Sequence, residues 1–415
     1  MRALIVAANI SARMGGEAIL PWHYVRELSA LGVEVHALTH ARVREEISDG
    51  PLADAAAFHY VEDAALERFL HQLGEITPGA LRETVFNTAI SAVTLARMGR
   101  KARALERETS FDVIHQPTPV SPQLPSFLTG MRAPVVIGPL NGGMDYPPAF
   151  EKDYARGSSA AVAVARSVSS LANNLISGKR QASRLLAANE RTLAALPEGV
   201  DRSRAAILVE NGVDLDLWSP PDAPRPATPV FVFVGRLVWW KALDLLIDAF
   251  AALNAPARLV IIGDGPERAA LEAQAKTKTH PDRPIEFLGF RPQTEIRDAL
   301  AAATALILPS MRECGGAVVL EAFACQTPAI ATDWGGPQDY VTPETGILIP
   351  PNGRADFIST LKDAMAALAG DPARVRSMGV AARARVEALY SWRAKAAAML
   401  DIYKEIASQK ASSQE

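Results

Sequence analysis

Short apolar segments that alternate with longer helical patterns run through most of this sequence. The first apolar segment, Leu4–Ala8, precedes a helical pattern over Ala18–Leu31, and the next apolar segment is Val33–Thr39. Continuous apolar strands joined by helices are typical of parallel sheets that are covered on both faces. Further strands are predicted at Val113–His115, Val135–Gly138, Val230–Gly235, Leu259–Gly263, Ile285–Leu288, Ala305–Leu308 and Ala329–Thr332. The alternation therefore predicts an α/β protein with doubly wound sheets.

A proline-rich interruption divides this alternation into two halves. Ser219–Pro229 contains five prolines and follows Asn211–Asp214, whose Asn-Gly-Val-Asp sequence is typical of a turn. The 415 residues are enough for two or three domains of usual size. We therefore predict an N-terminal Rossmann-like domain over residues 1–208, a second Rossmann-like domain over residues 209–392, and a final helix with a polar tail in residues 393–415.

The composition fits such domains and argues against several other classes of protein. Apolar residues make up 49% of the sequence, and the net charge of −3 gives no general attraction to nucleic acid. The two cysteines, Cys314 and Cys325, lack a metal-binding spacing and suit a reducing compartment. No apolar run reaches the roughly 18 residues of a membrane span, and Ala3–Ile10 turns polar too soon for a signal peptide. We expect a cytoplasmic protein.

The most informative motif is Pro309–Ala322, which follows a predicted strand. Its two glutamates, Glu313 and Glu321, lie eight residues apart. Glu313 falls on a glycine-containing turn, and Glu321 falls inside the helical pattern after it. A carboxylate accepts strong hydrogen bonds from vicinal hydroxyls, and the N–H groups at a helix start attract negative charge. The motif can therefore bind a sugar and its phosphate together. An ordinary helix start with surface glutamates is the alternative.

A second motif follows the strand predicted at Val230–Gly235. Gly235 allows a tight turn and a close approach of the backbone to a ligand, and Arg236 and Lys241 place two cations just beyond it. These cations can neutralise a diphosphate, since a guanidinium is a fork of donors and an ammonium is a mobile point charge. A solvated helix start is the alternative here.

The motif of Pro309–Ala322 resembles the paired-glutamate motif of the family 4 retaining glycosyltransferases, which have the GT-B fold and use nucleotide-sugar donors. The resemblance covers nearly the whole chain and implies two Rossmann-like domains that face a central cleft, with the final helix crossing back to the first. It implies that Glu313 binds the transferred sugar and Glu321 the ribose. It also implies backbone contacts with the sugar and diphosphate from Gly315, Gly316 and Ala317. The chain departs from the family in having Glu-Cys-Gly-Gly in place of Glu-Gly-Phe-Gly.

The same resemblance assigns Arg236 and Lys241 to the donor diphosphate, where they would stabilise the leaving group, with Gly235 beside them. Family members often have glycine after this lysine, whereas this chain has Ala242. The preceding pair, Trp239-Trp240, is also less usual for the family.

In the first half of the chain, Gly15 and Gly16 resemble the glycine loop of the family, which approaches the diphosphate and the acceptor. His115 ends a strand that resembles a family strand ending in histidine, and it is a candidate for a contact on the sugar side. A structural histidine in the core is the alternative.

An Asp-x-Asp sequence at Asp214 and Asp216 has the form of a metal site, but it falls within the predicted turn. GT-B enzymes generally need no divalent metal, because basic side chains and helix N-termini carry the diphosphate charge. The resemblance therefore implies no metal and no cofactor, with a nucleotide diphosphate sugar as co-substrate. The sequence contains neither a P-loop nor a Gly-x-Ser-x-Gly elbow, which weakens nucleotide-hydrolase and serine-hydrolase interpretations.

A long amphipathic region, Val61–Glu108, is predicted to be helical and carries a basic stretch that Glu106 and Glu108 partly offset. The basic residues are Arg97, Arg100, Lys101, Arg103 and Arg107. One interpretation is a solvated helix face. The other is attraction to an anionic membrane surface or a lipid-phosphate acceptor, which would place the protein at the inner face of the membrane.

Taken together, these motifs predict a retaining glycosyltransferase that transfers a hexose from a nucleotide diphosphate sugar to an acceptor. Sugar, lipid-linked and small-molecule acceptors all remain open, in polysaccharide, glycolipid or glycoconjugate biosynthesis. Two alternatives stay in view: a GT-B sugar phosphorylase, and a nucleotide-sugar-binding protein without catalysis.

Overall fold

The computed structural model describes residues 1–75, 86–154, 171–220, 224–278 and 280–412. The described residues form two parallel sheets, each in its own compact unit. The first unit comprises Met1–Gly143, Ser158–Glu210 and Lys395–Glu415, and the second comprises Met144–Gly157 and Asn211–Ala394. The prediction of doubly wound parallel sheets is confirmed.

The sheet of the first unit has the order β3-β2-β1-β4-β5-β6-β7 over the described residues. Its strands are β1 Arg2–Val6, β2 Glu34–His40, β3 Ala57–Val61, β4 Val113–Gln116, β5 Val135–Leu140, β6 Arg184–Ala187 and β7 Ala205–Ile207. Side chains of β1, such as Leu4 and Val6, share a buried cluster with Met98, Ala102 and Leu105. A helix therefore covers this face of the sheet, as parallel strands require.

The sheet of the second unit has the order β10-β9-β8-β11-β12-β13 in the part of the chain that the structure describes. Its strands are β8 Val230–Val234, β9 Arg258–Ile262, β10 Ile285–Gly289, β11 Ala305–Leu308, β12 Ala329–Thr332 and β13 Gly346–Ile349. Strands β11 and β12 are buried along their whole length. The strand order reverses beside β8, so this sheet has the switch point at which open α/β sheets bind ligands.

Helices connect the strands in both units. Those whose bounds are established are α1 Ile19–Ala30, α2 Arg44–Ser48, α3 Ala65–Glu75, α4 Asn87–Glu108, α5 Glu151–Tyr154, α6 Gly178–Gln181, α7 Glu190–Ala194, α8 Leu243–Ala251, α9 Arg268–Lys278, α10 Gln293–Ala302, α11 Ala317–Ala324, α12 Pro337–Tyr340, α13 Arg354–Ala369, α14 Pro372–Leu389 and α15 Trp392–Ser412. The described residues include no helix whose length and apolar content would suffice to span a bilayer.

Four strands were not predicted: β3, β6, β7 and β13. Strand β3 carries His59 and is half-exposed, β6 begins with Arg184, and β13 begins with Gly346. Strand β7 has three residues and lies at the sheet edge. The prediction of a continuous helical region over Val61–Glu108 is wrong at its start, because Val61 ends strand β3; residues 76–85 of that region lie outside the described residues.

The last helix, α15, belongs to the first unit from Lys395 onward. The Lys395 side chain is 2% exposed, and its ammonium donates to the carbonyl oxygen of Val209. Burial lowers the pKa of Lys395 to about 8, against the opposing charge of Glu210. The Asn141 amide in turn donates to the Glu210 carboxylate. A buried polar network thus attaches the helix to residues that lie well before it in the sequence.

Candidate functional site

The carboxyl ends of β8, β9, β11 and β12 bring four glycine-containing loops together at one edge of the second sheet. The β8 and β9 loops are joined by two backbone hydrogen bonds, from Gly235 to Ile262 at 3.0 Å and from Leu237 to Asp264 at 2.9 Å. A Cβ atom on Gly263 would lie 1.9 Å from the Gly235 carbonyl oxygen. Only glycine therefore permits this close approach of the two loops.

The β8 loop ends in a single 3₁₀ turn, Trp239–Lys241, so that one residue separates Lys241 from helix α8. The residue between them, Ala242, has a φ of 52° and lies in the left-handed region. This conformation is strained for an alanine and explains why glycine is usual at this position in the family that the motif resembles.

The β11 loop leads into helix α11 through Gly316, whose φ of 67° is also left-handed. A Cβ atom on Gly316 would lie 3.2 Å from the Glu313 Cγ atom, so glycine leaves room for the Glu313 side chain. Helix α11 begins at Ala317, and the first N–H groups of a helix have no intrahelical partner. These donors, with the positive end of the helix dipole, can attract an anion beside Glu313.

Lys241 and Glu313, which the sequence assigned to different parts of a ligand, form an ion pair with each other. Both side chains are 15% exposed. The Ser310 hydroxyl also donates to the Glu313 Oε2 atom at 3.4 Å. The Met311 amide donates to the Trp240 carbonyl oxygen at 2.9 Å and thereby fixes the β11 loop against the β8 loop. The structure thus joins the two predicted motifs into one site.

Arg236 lies five residues before Lys241 and is exposed, with no ion pair to any other residue that the structure describes. The guanidinium is therefore available to an anion. Lys241 differs, since an anion must first separate it from Glu313.

Glu321 lies in the second turn of helix α11, where burial raises the pKa of its carboxyl to about 7. The residue keeps partial solvent access, and no cation or hydrogen-bond donor among the described residues pairs with it. A desolvated carboxylate without a partner is unfavourable. Hydroxyl donors on a ligand could supply the missing hydrogen bonds.

The β12 loop supports this site through Gly335 and Gly336, to which the sequence assigned no role. The Gly336 amide donates to the Glu313 carbonyl oxygen at 2.7 Å, and a Cβ atom on Gly336 would lie 2.4 Å from the Cys314 carbonyl oxygen. The glycine pair in this loop was a sequence signal, but its contact with Glu313 could not be derived without the fold.

Gly15 and Gly16 lie in the first unit, after strand β1, and both have left-handed φ angles of 64° and 53°. A Cβ atom on either would meet nothing within 4 Å. The preceding loop is held by Glu46, which accepts from the Ser11 hydroxyl at 2.6 Å and from the Ala12 amide at 2.8 Å. No motif in the sequence indicated Glu46, because its contacts with this loop depend on the fold.

His115 does not occupy an exposed position, contrary to the candidate sugar-side contact. The ring is 0% exposed. One nitrogen lies 2.6 Å from the Gly138 carbonyl oxygen, and the other lies 2.6 Å from the Tyr403 hydroxyl of helix α15. Both ring nitrogens are thus used inside the first unit, so the structure supports the alternative of a structural histidine.

We expect His115 to make the protein less stable in acid. Burial lowers the pKa of His115 to about 4, so between pH 6.5 and about 4 the unfolded chain binds a proton that the folded chain does not. The free energy of unfolding should therefore fall with decreasing pH, by up to about 3 kcal/mol from this residue. Urea unfolding at pH 7.5, 5.5 and 4.5 measures the slope. His115→Gln should have a shallower slope, and equal slopes in the two proteins would contradict this origin.

The basic stretch is only partly a free surface. Arg97 pairs with Glu67 at 2.6 Å, and Arg103 donates to the Thr129 carbonyl oxygen at 2.9 Å. Glu106 does not offset the surface charge as expected from the sequence, since it is buried and accepts from the backbone amides of Arg132 and Ala133. The exposed cations of the stretch are Arg100, Lys101 and Arg107.

The Asp-x-Asp sequence forms a turn. The Asp214 carboxylate accepts from the Asp216 amide at 3.1 Å, and the Asp214 carbonyl oxygen accepts from the Trp218 amide at 2.9 Å. The first carboxylate is therefore already engaged with its own backbone, as short polar side chains in turns commonly are.

Sequence comparison relates the second unit to known enzymes. The family described as "Glycosyl transferases group 1" matches residues 218–385, which include Arg236, Lys241, Glu313 and Glu321. Alpha-maltose-1-phosphate synthase from Mycolicibacterium smegmatis is 32% identical over 221 residues, 48% of this chain and 56% of that protein. D-inositol 3-phosphate glycosyltransferase from Kribbella flavida is 35% identical over 217 residues, 48% of this chain and 50% of that protein. The chain spans about half the length of the curated relatives it matches.

Structural comparison covers almost the entire chain. Sucrose-phosphate synthase from Thermosynechococcus elongatus superposes with a TM-score of 0.66 at 22% identity, over 98% of both chains. The Anabaena protein HepE, solved in complex with UDP and glucose, superposes with a TM-score of 0.63 at 17% identity, over 98% of this chain and 100% of that chain. At these identities the similarity establishes the fold, which is GT-B with two Rossmann-like units.

Proposed function

We propose that this chain, which has the GT-B fold and a group 1 glycosyl transferase domain in its second unit, is a family 4 retaining glycosyltransferase. It would transfer a hexose from a nucleotide diphosphate sugar to an acceptor. The observation that carries the proposal is the ion pair of Lys241 with Glu313 beside the start of helix α11. Cations, a carboxylate and helix N–H groups thus lie close together, and these are the groups that can bind the phosphates and hydroxyls of a phosphorylated sugar.

The donor diphosphate would be bound by Arg236, by Lys241 and by the backbone at Gly315, Gly316 and Ala317. The charge of the diphosphate rises when its bond to the sugar breaks, so fixed positive groups stabilise the transition state more than the ground state. The partner exchange at Lys241 fits this role, because the arriving diphosphate would replace Glu313 as the partner of the ammonium.

Glu313, once released from Lys241, would accept hydrogen bonds from hydroxyls of the hexose. Glu321, which has no partner among the described residues, would accept them from the ribose. Both contacts replace water on a carboxylate with charge-assisted hydrogen bonds.

Transfer would break the bond between the anomeric carbon and the diphosphate oxygen and form a bond from the acceptor oxygen to the same face of the sugar. The proton of the acceptor hydroxyl would pass to the leaving phosphate oxygen, so no protein nucleophile is required. The first unit would bind the acceptor, with Gly15 and Gly16 leaving an open approach after β1.

We propose the acceptor only by class. The names of two of them specify maltose 1-phosphate and inositol 3-phosphate chemistry, and a third is a mannosyltransferase that acts on a phosphatidylinositol monomannoside. For this chain we propose a sugar, a lipid-linked sugar or a small polyol as acceptor, and a cytoplasmic location. The exposed Arg100, Lys101 and Arg107 would favour peripheral contact with anionic lipid.

The test is a calorimetric screen of UDP-, GDP- and ADP-linked hexoses against the purified chain, followed by turnover of the donors that bind. Binding with release of the nucleotide diphosphate and formation of a glycoside supports the proposal. Turnover that requires inorganic phosphate would indicate a sugar phosphorylase, and binding without turnover on any acceptor would indicate a binding protein.

Transfer should persist after removal of divalent metal, because Arg236, Lys241 and the start of α11 supply the positive charge. Turnover should change less than twofold, on the order of experimental scatter, when EDTA is added to enzyme with its preferred donor. The control is an enzyme known to depend on Mn²⁺, assayed in the same buffer. Loss of activity with EDTA and recovery with Mg²⁺ or Mn²⁺ would contradict this expectation and make Asp214 and Asp216 candidates again.

A further inference from the structure

The segment Met144–Tyr154 belongs to the second unit, although residues on both sides of it along the chain belong to the first. Its first three residues contact three different loops of the site. A Cβ atom on Gly335 would lie 2.4 Å from the Met144 sulfur, and the Trp334 indole donates to the Asp145 carbonyl oxygen at 2.9 Å. The third residue, Tyr146, reaches the two loops that carry Lys241 and Glu313.

The Tyr146 ring contacts a tryptophan and an arginine. It stacks on Trp239 with ring centroids 5.8 Å apart and an interplanar angle of 27°. The Arg312 guanidinium carbon lies 5.6 Å from the centroid of the Tyr146 ring. Trp239 stacks in addition on Tyr154, at 6.0 Å, and meets Trp240 edge to face at 5.2 Å. Stacked rings and cation–π contacts both favour this geometry.

This stack contacts the two loops that carry the ion pair. Trp240 is the neighbour of Lys241 in the sequence, and Arg312 is the neighbour of Glu313. Tyr146 is therefore in contact with Trp239 two residues before Lys241 and with the residue directly before Glu313. The unusual Trp239-Trp240 pair of the sequence thus acquires a physical explanation, since Trp239 supplies the ring on which the tyrosine stacks.

We infer that Tyr146 is a positioning residue, which holds the Lys241 and Glu313 loops in register for donor binding and transfer. The inference rests on the proposed function and adds to it a residue from outside the matched residues 218–385. Sub-ångström placement matters for transfer, because a misplacement of about 1 Å can lower a rate by roughly a hundredfold.

The other end of the segment is anchored by contacts that do not involve Tyr146. Phe150 is fully buried and packs against Phe357 at 6.0 Å, and the Tyr154 hydroxyl donates to Asp244 at 3.3 Å. A change at Tyr146 should therefore loosen the two loops without detaching the segment.

The test compares Tyr146→Leu, which removes the ring, with Tyr146→Phe, which keeps it. The matched control is Tyr60→Leu in the first unit, because Tyr60 also stacks on a ring, that of Phe58 at 6.3 Å, and lies under an arginine, Arg44 at 4.6 Å. Hydrogen exchange measured by mass spectrometry reports on the loops at residues 236–242 and 309–316 without need of activity. The kcat for the preferred donor reports on transfer.

In Tyr146→Leu we expect faster exchange in both loops and a kcat lowered roughly ten- to a hundredfold. Tyr146→Phe and Tyr60→Leu should leave hydrogen exchange in both loops and kcat near their wild-type values. In a Glu313→Gln background, Tyr146→Leu should lower kcat by a smaller factor than in the wild-type background, because the part of its effect that acts through Glu313 is already lost.

Unchanged exchange in Tyr146→Leu would overturn the inference, as would an unchanged kcat or a loss of equal size in the Glu313→Gln background. If the wild-type chain turns over no nucleotide sugar, the proposed function fails, while the exchange data still decide whether Tyr146 holds the two loops.

Discussion

Replacing Lys241 by alanine should slow transfer on the order of 10²–10³-fold, the scale for losing one charge donor to a transition state. The ammonium is the cation that the arriving diphosphate would take from Glu313. Its loss also leaves Glu313 without its ion-pair partner, which adds electrostatic repulsion toward the donor. Arg236→Ala should slow transfer by a factor of the same order, because that exposed guanidinium has no competing partner among the described residues.

Steady-state kinetics with the preferred donor measure these losses. Lys276→Ala is the matched control, since Lys276 is an exposed lysine of helix α9 in the same unit. It removes one positive charge and should leave turnover near the wild-type value. Near wild-type turnover in both Lys241→Ala and Arg236→Ala would eliminate the diphosphate contacts on which the proposal depends.

Replacing Glu321 by glutamine should weaken binding of the free nucleotide diphosphate by about ten- to a hundredfold, the scale of one lost charge-assisted hydrogen bond. Glu313→Gln should lower turnover but leave nucleotide diphosphate binding nearly intact, since it removes a sugar contact and frees Lys241 for the diphosphate. Calorimetry with the nucleotide alone separates the two. Asp356→Asn, at an exposed carboxyl of helix α13, is the control for loss of a charge.

Stability gives an independent check on the same variants. The folded-state pKa of Glu321 is raised to about 7 by burial, so above that pH the folded chain holds an unfavourable charge that the unfolded chain solvates. Glu321→Gln should therefore raise the free energy of unfolding at pH 8, by up to about 3 kcal/mol. Weaker nucleotide binding in a more stable protein would exclude misfolding. Equal loss of nucleotide affinity in Glu313→Gln and Glu321→Gln, or the reverse order, would contradict the assigned roles.

The sequence was sufficient for most of the second sheet, because Val230–Val234, Ala305–Leu308 and Ala329–Thr332 are short, mostly apolar segments between helical patterns, as is typical of buried parallel strands. It did not identify the first sheet's edge strand at Ala57–Val61, which is half-exposed and carries His59. Apolar patterns in the sequence thus predict central strands more reliably than edge strands.

Within the site, the sequence identified Lys241 and Glu313 from local patterns but could not pair them. The two residues lie 72 positions apart, and their ion pair depends on the adjacency of β8 and β11 in the sheet. The contact of Tyr146 with Trp239 and Arg312 could not be predicted either, because it depends on the segment Met144–Tyr154 belonging to the second unit.

His115 illustrates the opposite case, in which a local pattern suggested a role that the environment excludes. A histidine at the end of a β-strand can face a ligand, yet here Tyr403 of the last helix, 288 residues away in the sequence, takes one ring nitrogen. A long-range partner of this kind has no signature in the residues around His115.

The measurement that tests the central claim most directly is proton NMR of the reaction with a nucleotide diphosphate hexose and a panel of sugar, polyol and lipid-linked acceptors. The anomeric signal of the product reports both transfer and stereochemistry. We predict a glycoside with the anomeric configuration of the donor, formed with release of the nucleotide diphosphate and lost in Lys241→Ala. A product of inverted configuration, or a sugar 1-phosphate formed only when inorganic phosphate is present, would contradict the account.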